Sequence, residues 1–249
     1  MRQRRKCQPT RRDVLAVAGA LAGAAIARAG LGTALVRAQA VAVPDVDHLI
    51  WGVADRDAGI DYLEELTGVR AMVGGSHPGR GTRNGILSMG DRQYIEILAP
   101  DPEQPEVETE RIATLRGLAT PRLMTWCAVA GDADAMAARV RAAGERVREI
   151  RDGARERPDG VTLRWRNLYM VGPEDDVIPY AIDWADGTPH PSSDAPVGGS
   201  LQSLRLKHPE AGRMSALLTA MGLRLRVEPG PATQLTAVLD TPRGEVVLE

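Results

Sequence analysis

Histidines are the residues of this sequence with the most versatile chemistry, and the chain has four of them. An unperturbed histidine has a pKa near 6.5, so it can act as acid or base near neutral pH, and its neutral imidazole also binds divalent metals. His48 lies in a β-rich run, His77 lies with Arg80 in the glycine-rich segment HPGRG, and His190 lies between two prolines. A strand histidine can equally be a hydrogen-bonded core residue, and a turn histidine can be merely exposed. The secondary-structure elements around these histidines must show which of these roles applies to each.

Those elements recur along the chain in the order strand, helix, strand, strand, strand. The first copy starts at Val46, and its helical stripe between Asp55 and Thr67 ends at Gly68, which suits a left-handed helix end. The same order returns over 123–184 and again over 201–249. The sequence therefore predicts an α+β fold built from three βαβββ modules.

The modules predict a domain organisation as well. We expect a two-module domain at 46–186, a linker rich in Pro, Gly and Ser at 187–199, and a third module at 200–249. One module leaves one face of its sheet apolar and uncovered, so modules are expected to pack in pairs. An odd third module has no mate in the same chain, which predicts a possible homodimer.

The first 40 residues are typical of an export signal. Eight basic residues and one acidic residue fall there, an uncharged run of 14 residues follows the paired Arg11 and Arg12, and Ala38-Gln39-Ala40 provides a small-residue cleavage site. The run is shorter than the roughly 20 residues that a membrane span needs. The pattern resembles a twin-arginine signal and predicts a periplasmic or extracellular protein with no stable membrane span after cleavage, or a cytoplasmic one if the segment is not a signal.

Composition excludes several classes of partner and chemistry. Without the first 40 residues, 23 basic and 32 acidic residues remain, a formal charge of −9, which argues against nucleic acid as a partner. The sequence contains no glycine-rich nucleotide loop before a helix, no CxxC pair and no GxSxG elbow, which argues against dinucleotide enzymes, zinc ribbons and serine hydrolases. A small molecule is the expected ligand.

Motifs through the first two modules resemble glyoxalase-like members of the vicinal oxygen chelate (VOC) superfamily. They are DHLIWGV at 47–53, HPGRGTRN at 77–84, YIEILAPD at 94–101, LMTW at 123–126, and IDW followed by TPHP within 182–191. The resemblance implies the glyoxalase and bleomycin-resistance type of fold, in which two modules curl their sheets around one concave site, here called the cup.

The resemblance also implies a metal site, because VOC enzymes typically place ligands on the first and last strands of each module. His48 and Glu96 match those positions in the first module. The further ligand is Asp183 if modules one and two share the cup, or Glu249 if modules one and three share it. One histidine and two carboxylates suit a Zn, Fe, Mn or Ni ion.

The second module departs from the family pattern. Aligning the two modules at their helix starts places Thr125 opposite His48 and Asp183 opposite Glu96. The second histidine of a four-ligand set is therefore missing, and a metal-free polar pocket is the alternative.

Other positions follow from the same resemblance. Thr82 and Asn84 of the GTxN turn, together with Thr125 and Trp126, are expected to contact substrate, although core packing is the alternative for Trp126. His190 is expected at the cup rim as a general acid or base.

Two functions remain open. In the first, a metal-dependent lyase or isomerase acts on a small oxygenated molecule, and Glu96 or Asp183 moves the proton. In the alternative, the protein binds and sequesters a small molecule without turnover, which the missing second histidine favours.

Overall fold

The computed structural model describes residues 43–157, 160–171 and 177–249. The predicted export signal lies outside these residues and stays a prediction. Among the helices that the structure describes, none is both long enough and apolar enough to cross a bilayer.

The described chain contains twelve strands and four α-helices. In the first module these are β1 (Val46–Gly52), α1 (Arg56–Thr67), β2 (Met72–His77), β3 (Thr82–Ser88) and β4 (Tyr94–Pro100), followed by α2 (Glu110–Arg116). In the second they are β5 (Arg122–Val129), α3 (Ala133–Ala142), β6 (Val147–Glu156), β7 (Thr162–Met170) and β8 (Tyr180–Trp184), followed by a short 3-10 helix (Pro191–Ser193). In the third they are β9 (Ser200–His208), α4 (Ala211–Met221), β10 (Val227–Pro229), β11 (Gln234–Thr241) and β12 (Gly244–Leu248).

The first two modules form one eight-stranded sheet. Its strand order is β2-β3-β4-β1-β5-β8-β7-β6, so the modules join where β1 runs antiparallel to β5. Within each module the first strand runs parallel to the last, β1 beside β4 and β5 beside β8. The curled sheet confirms the predicted α+β fold and shows that modules one and two share the cup.

Capping residues fix the first helix in each of the first two modules. The Asp55 carboxylate accepts a hydrogen bond from the Ala58 N–H at 2.9 Å, and Asp132 does the same for Ala135 at the start of α3. Such caps satisfy helix N–H groups that have no partner within the helix. Gly68 ends α1 with φ of 81°, a conformation that glycine adopts without strain.

The third module repeats the order of elements but not the pairing of strands. Its sheet has the order β10-β9-β11-β12, so the last strand lies at an edge and pairs with β11 instead of β9. Element order along a chain does not determine which strands pair. The sequence pattern was therefore sufficient for the elements but not for their arrangement.

The apolar face of the third module is buried within the same chain. Leu204 and Leu206 of β9 belong to one core with Leu49 of β1 and Trp126 of β5. The premise that this module lacks an internal mate was wrong, because the first two modules cover it. A homodimer remains a prediction, but the lack of an internal mate for the third module no longer supports it.

Two segments between the modules pack against the eight-stranded sheet. Helix α2, which the sequence pattern did not predict, places Leu115 against Ile50 and Leu98. The predicted linker packs Ala195 against Ile86 and Tyr94. Each segment thus forms a small apolar cluster with cup strands of the first module.

Candidate functional site

Strand register decides which side chains face the cup. Directly opposed residues of antiparallel strands share a face. His48 lies opposite Cys127 and Ile50 lies opposite Thr125, so these four side chains share one face of the β1–β5 pair. Leu49 and Trp126, opposed to each other, point to the other face and into the core.

Glu96 of β4 is the central carboxylate of the cup, and 8% of its surface is exposed. The Asn84 amide donates a 2.7 Å hydrogen bond to its Oε1. Its Oε2 lies 3.8 Å from His48 Nε2, and its Oε1 lies 3.5 Å from His77 Nε2. No described residue donates a hydrogen bond to Oε2, so one oxygen is clamped and the other remains available.

The surroundings keep Glu96 ionised. Burial alone would raise the pKa of this carboxyl, but attraction to His77 and His48, the Asn84 hydrogen bond and the Arg155 charge together outweigh burial and lower the pKa below 4.5. Glu96 is therefore a carboxylate at neutral pH and can accept a proton.

His48 is held at both ring nitrogens. Its Nδ1 lies 2.7 Å from Asp47 Oδ1, and its Nε2 lies 2.7 Å from the Tyr180 hydroxyl. An ionised Asp47 only accepts hydrogen bonds, so Nδ1 carries the proton that it shares with Asp47. Burial raises the pKa of Tyr180 well above its usual value, so its hydroxyl stays protonated and shares a hydrogen bond with Nε2. These three residues form a continuous hydrogen-bond relay.

Asp47 anchors the relay to the second module. Its Oδ2 accepts a 3.0 Å hydrogen bond from the Trp184 indole and lies 3.2 Å from His190 Nε2. Burial would raise the pKa of Asp47, but hydrogen bonds and charge attraction from His190 and His48 lower it to about 2. Asp47 is therefore a buried anion at all ordinary pH values.

His77 and Thr82 support the other side of Glu96. The Thr82 hydroxyl lies 2.8 Å from His77 Nδ1, and burial lowers the pKa of His77 below 6.5. Asn84 is fixed by the Gly75 N–H, which donates to its Oδ1 at 3.0 Å. A Cβ at Gly74 would overlap that oxygen, so only glycine leaves room for Asn84.

The predicted role of Asp183 in the cup does not agree with the register of β8. The Val53 N–H donates to the Leu98 carbonyl on β4, and the Ala130 N–H donates to the Ile182 carbonyl at the equivalent place on β8. Counting two residues back, the position that matches Glu96 is therefore Tyr180 instead of Asp183. Asp183 lies three residues further on, and an odd shift reverses the face of a strand side chain.

Asp183 consequently has a structural role. Its Oδ2 accepts a hydrogen bond from the Ala133 N–H at the start of α3, on the helix side of the sheet. The alignment of Thr125 with His48 agrees with the register, because exchanging the two modules turns the pair His48–Cys127 into the pair Ile50–Thr125, and Thr125 lies on the cup face.

Glu249 and Trp126 also lie away from the expected positions. Glu249 is exposed after β12, a strand outside the eight-stranded sheet, and its backbone oxygen accepts from the Leu123 N–H at 2.7 Å. Trp126 is fully buried in the core, where its indole donates to the Val177 carbonyl. Trp126 was expected to contact substrate, with core packing as the alternative, and its position in the structure is that of a core residue.

His190 is buried, contrary to the expectation of a rim residue. Its ring packs edge-on against Tyr94 and Trp184, and its Nδ1 lies 2.8 Å from the Ser192 hydroxyl. It reaches Glu96 only through Asp47 and His48, so it positions the relay.

The predicted metal ligands do not form a coordination site. The described residues contain no group of three or more His, Cys, Asp and Glu side chains that could hold a metal ion. The Tyr180 hydroxyl occupies His48 Nε2, and the Asn84 amide occupies Glu96 Oε1. A ligand atom must offer a free lone pair, so the arrangement does not fit the expected ion.

A cavity of about 380 Å³ adjoins the relay. Tyr180, Thr125 and Tyr169 line it on the cup side, and Met214 and Leu217 of α4 line it on the side of the third module. This volume is typical of a small-molecule site. Thr125, predicted to contact substrate, lies at the boundary between cup and cavity.

Sequence reasoning missed Asp47 and Tyr180 and placed His77 in a loop. The adjacent acid and histidine in the DHLIW motif, and a tyrosine three residues before Asp183, were the available signals. His77 is the last residue of β2, where it faces Glu96. Only the strand register reveals that these residues meet.

Comparison with known proteins shows the family to which this chain belongs. The family model for the glyoxalase-like domain matches residues 46–222, and the chain therefore belongs to that family. Its fold is that of the VOC superfamily.

Several solved structures are similar to this chain. A hypothetical protein from Staphylococcus aureus matches with 16% identity and a TM-score of 0.58, covering 76% of this chain and 87% of that one. A methylmalonyl-CoA epimerase from Streptomyces coelicolor matches with 20% identity and a TM-score of 0.42, covering 59% and 99% respectively. The epimerase from Mycobacterium tuberculosis matches with 22% identity and a TM-score of 0.39, covering 57% and 87%. No curated protein matches the chain.

Proposed function

We propose that this protein is a lyase- or isomerase-type enzyme that moves a proton on a small oxygenated molecule bound in the cup, with Glu96 as the general base. The observation that carries this proposal is the state of Glu96: buried, ionised, clamped at Oε1 and available at Oε2. A positioned carboxylate of this kind can remove a proton from a carbon next to a carbonyl group.

The neighbouring residues give Glu96 a defined geometry. Asn84 fixes one carboxylate oxygen, and the relay of Asp47, His48 and Tyr180 forms a rigid wall beside the other. A base held in one orientation avoids the entropic cost of aligning it with the substrate. In an isomerase the same carboxyl group returns the proton, whereas in a lyase a neighbouring group leaves.

Deuterium exchange tests the proposal with small carbonyl compounds as probes. Each compound would be incubated with the protein in D₂O, and loss of the proton next to the carbonyl would be followed by NMR. We expect Glu96→Gln to lower the exchange rate by roughly 100-fold or more, because general bases contribute about 10²–10⁴-fold.

Glu245→Gln is the matched control, because Glu245 is exposed on β12 in the third module. The Glu245→Gln protein should exchange the proton at the same rate as the wild type. The lowered pKa of Glu96 also predicts that exchange persists to a lower pH than it would with a glutamate of ordinary pKa. Equal exchange by the Glu96→Gln protein would refute the assignment, and ligand binding without any exchange would favour the sequestering alternative.

A further inference from the structure

Two arginines span the opening of the cup. Strands β2 and β6 are the two edges of the curled sheet. Arg155 of β6 donates to Asn84 Oδ1 at 3.3 Å, and its guanidinium would lie 2.9 Å from a Cβ at Gly75 of β2. Arg80, between β2 and β3, donates to the Tyr169 hydroxyl on β7 at 3.2 Å. Each guanidinium therefore reaches from one half of the sheet to the other.

Arg80 and Arg155 differ from the arginines over the Tyr169 ring, because the described residues provide neither of them with an acidic partner. Arg148 and Arg151 lie over the Tyr169 ring, and both approach Glu149, at 3.9 and 2.6 Å. Neither Arg80 nor Arg155 forms an ion pair with a carboxylate of the described residues. A guanidinium has five N–H donors, and each of these two, although partly buried, gives one side-chain hydrogen bond within the described part of the chain.

Asn167 of β7 adds an unused acceptor to the same face. Its Nδ2 donates to the Tyr169 hydroxyl at 3.1 Å, but its Oδ1 is buried and has no hydrogen-bond partner among the described residues. Only 6% of this residue is exposed. Asn167 lies opposite Ile182, which is two residues from Tyr180 and on the same face of β8, so Asn167 faces the cup. Buried amide atoms without a partner are rare and call for an explanation.

We propose that the cup recognises a small carboxylate that carries a hydroxyl group: Arg80 and Arg155 bind the carboxylate, and Asn167 Oδ1 accepts the hydroxyl hydrogen bond. Guanidinium groups match a carboxylate geometrically and electrostatically. Arg155 is connected to Glu96 through Asn84, so the bound anion lies near the base. This inference rests on the proposed function, for which it names the class of substrate, a small hydroxycarboxylic acid.

Calorimetry with matched ligands tests the inference. The probes are 2-hydroxy acids of about three to six carbons, their primary amides, which lack the charge, and the corresponding acids without the hydroxyl. We expect the hydroxy acid to bind roughly tenfold or more tightly than its amide. Arg80→Gln and Arg155→Gln should each remove that preference, and the Arg→Lys variants should retain part of it.

Arg166→Gln is the matched control, because Arg166 lies on β7 but pairs with Asp134 on the helix side of the sheet. It should leave the preference unchanged. Asn167→Leu should remove the discrimination between hydroxy and unsubstituted acids while the preference over the amide persists. Circular dichroism of each variant verifies that the fold is intact.

Several outcomes would overturn the inference: equal binding of acids and amides, an undiminished preference in folded Arg80→Gln and Arg155→Gln proteins, or no binding of any acid at millimolar concentration. Charge-dependent binding without proton exchange would support the inference while contradicting the proposed function. Proton exchange on neutral compounds, without tighter binding of acids, would support the proposed function while contradicting the inference.

Discussion

The two halves of the eight-stranded sheet share one backbone plan but carry different side chains on the cup face. The matched positions are His48 and Thr125, Ile50 and Cys127, and Glu96 and Tyr180. The first half therefore has an imidazole and a carboxylate where the second has an aliphatic hydroxyl and a phenol. Burial raises the pKa of the Cys127 thiol well above its usual value, so this thiol stays neutral.

What the second half contributes instead is aromatic and cationic surface. Tyr169 and Tyr180 stack with centroids 5.7 Å apart, and Arg155 reaches across to Asn84. The contrast shows that a repeated module can keep its strand register while its two copies carry different chemical groups. Glu96, the proposed base, belongs to the first half, whereas Arg155 of the proposed carboxylate site belongs to the second.

Asp47→Asn should have the largest effect on stability, because Asp47 joins the halves through Trp184 and the relay. Loss of the buried charge that faces His48 and His190 is expected to cost about 2–4 kcal/mol of unfolding free energy at pH 7. Urea unfolding measures this loss of unfolding free energy. Asp186→Asn is the control, because Asp186 is exposed.

The pH dependence provides a second readout of the same variant. The pKa of Asp47 falls from 3.8 to about 2 on folding, so its contribution is complete above pH 3.8 and is lost as the pH falls through 2. The shift corresponds to about 2 kcal/mol. The Asp47→Asn protein should therefore lose less stability than the wild type between pH 4 and pH 2. Identical pH profiles would show that Asp47 does not link the halves in this way.

A pair of glycines sharpens the comparison further. Gly74 of β2 leaves room for Asn84, and Gly153 of β6 leaves room for the Trp165 ring, which a Cβ there would overlap. Alanine at either site should destabilise the fold by about 1–3 kcal/mol, because the neighbour must move. Only Gly74→Ala should also slow proton exchange, by roughly tenfold, because Asn84 clamps Glu96.

Gly212→Ala is the matched control, since no atom lies within 4 Å of a Cβ at that position in α4. It should leave the stability unchanged or raise it by up to about 1 kcal/mol, because Gly212 is the second residue of α4 and alanine favours the helix more than glycine does. Equal effects of the Gly74 and Gly153 variants on exchange would contradict a division of labour between the halves.

The sequence allowed the proximity of His48 and Glu96 to be predicted, because the family motifs DHLIWGV and YIEILAPD mark adjacent parallel strands. It did not allow Asp183 to be placed correctly. The two modules differ in the spacing between the helix and the last strand, so the alignment through the helix start placed the position of Glu96 three residues too far along β8, on the opposite face. Motif matching therefore served within a module but failed between modules.

Residues contributed by long-range pairing were beyond sequence reasoning for another reason. Tyr180 meets His48 across 132 positions and Trp184 meets Asp47 across 137. Within its own strand, neither Tyr180 nor Trp184 has a sequence pattern that indicates its partner. Only the joining of β1 to β5, and of β5 to β8, brings these side chains to one face, and no local pattern encodes that joining.

Removal of metal should have the smallest effect. The protein purified without a histidine tag is expected to hold no stoichiometric divalent ion by elemental analysis, and proton exchange should survive dialysis against EDTA. The physical reason is occupancy: an ion bound by His48 and Glu96 would have to displace Tyr180 from Nε2 and Asn84 from Oε1, and neither of the acids predicted as its third ligand lies in the cup. Tyr180→Phe removes one obstacle and provides a direct comparison. If the wild type bound a stoichiometric ion that His48→Ala and Glu96→Ala lost, both halves would have to rearrange on binding, and the relay would be a resting state instead of the working one.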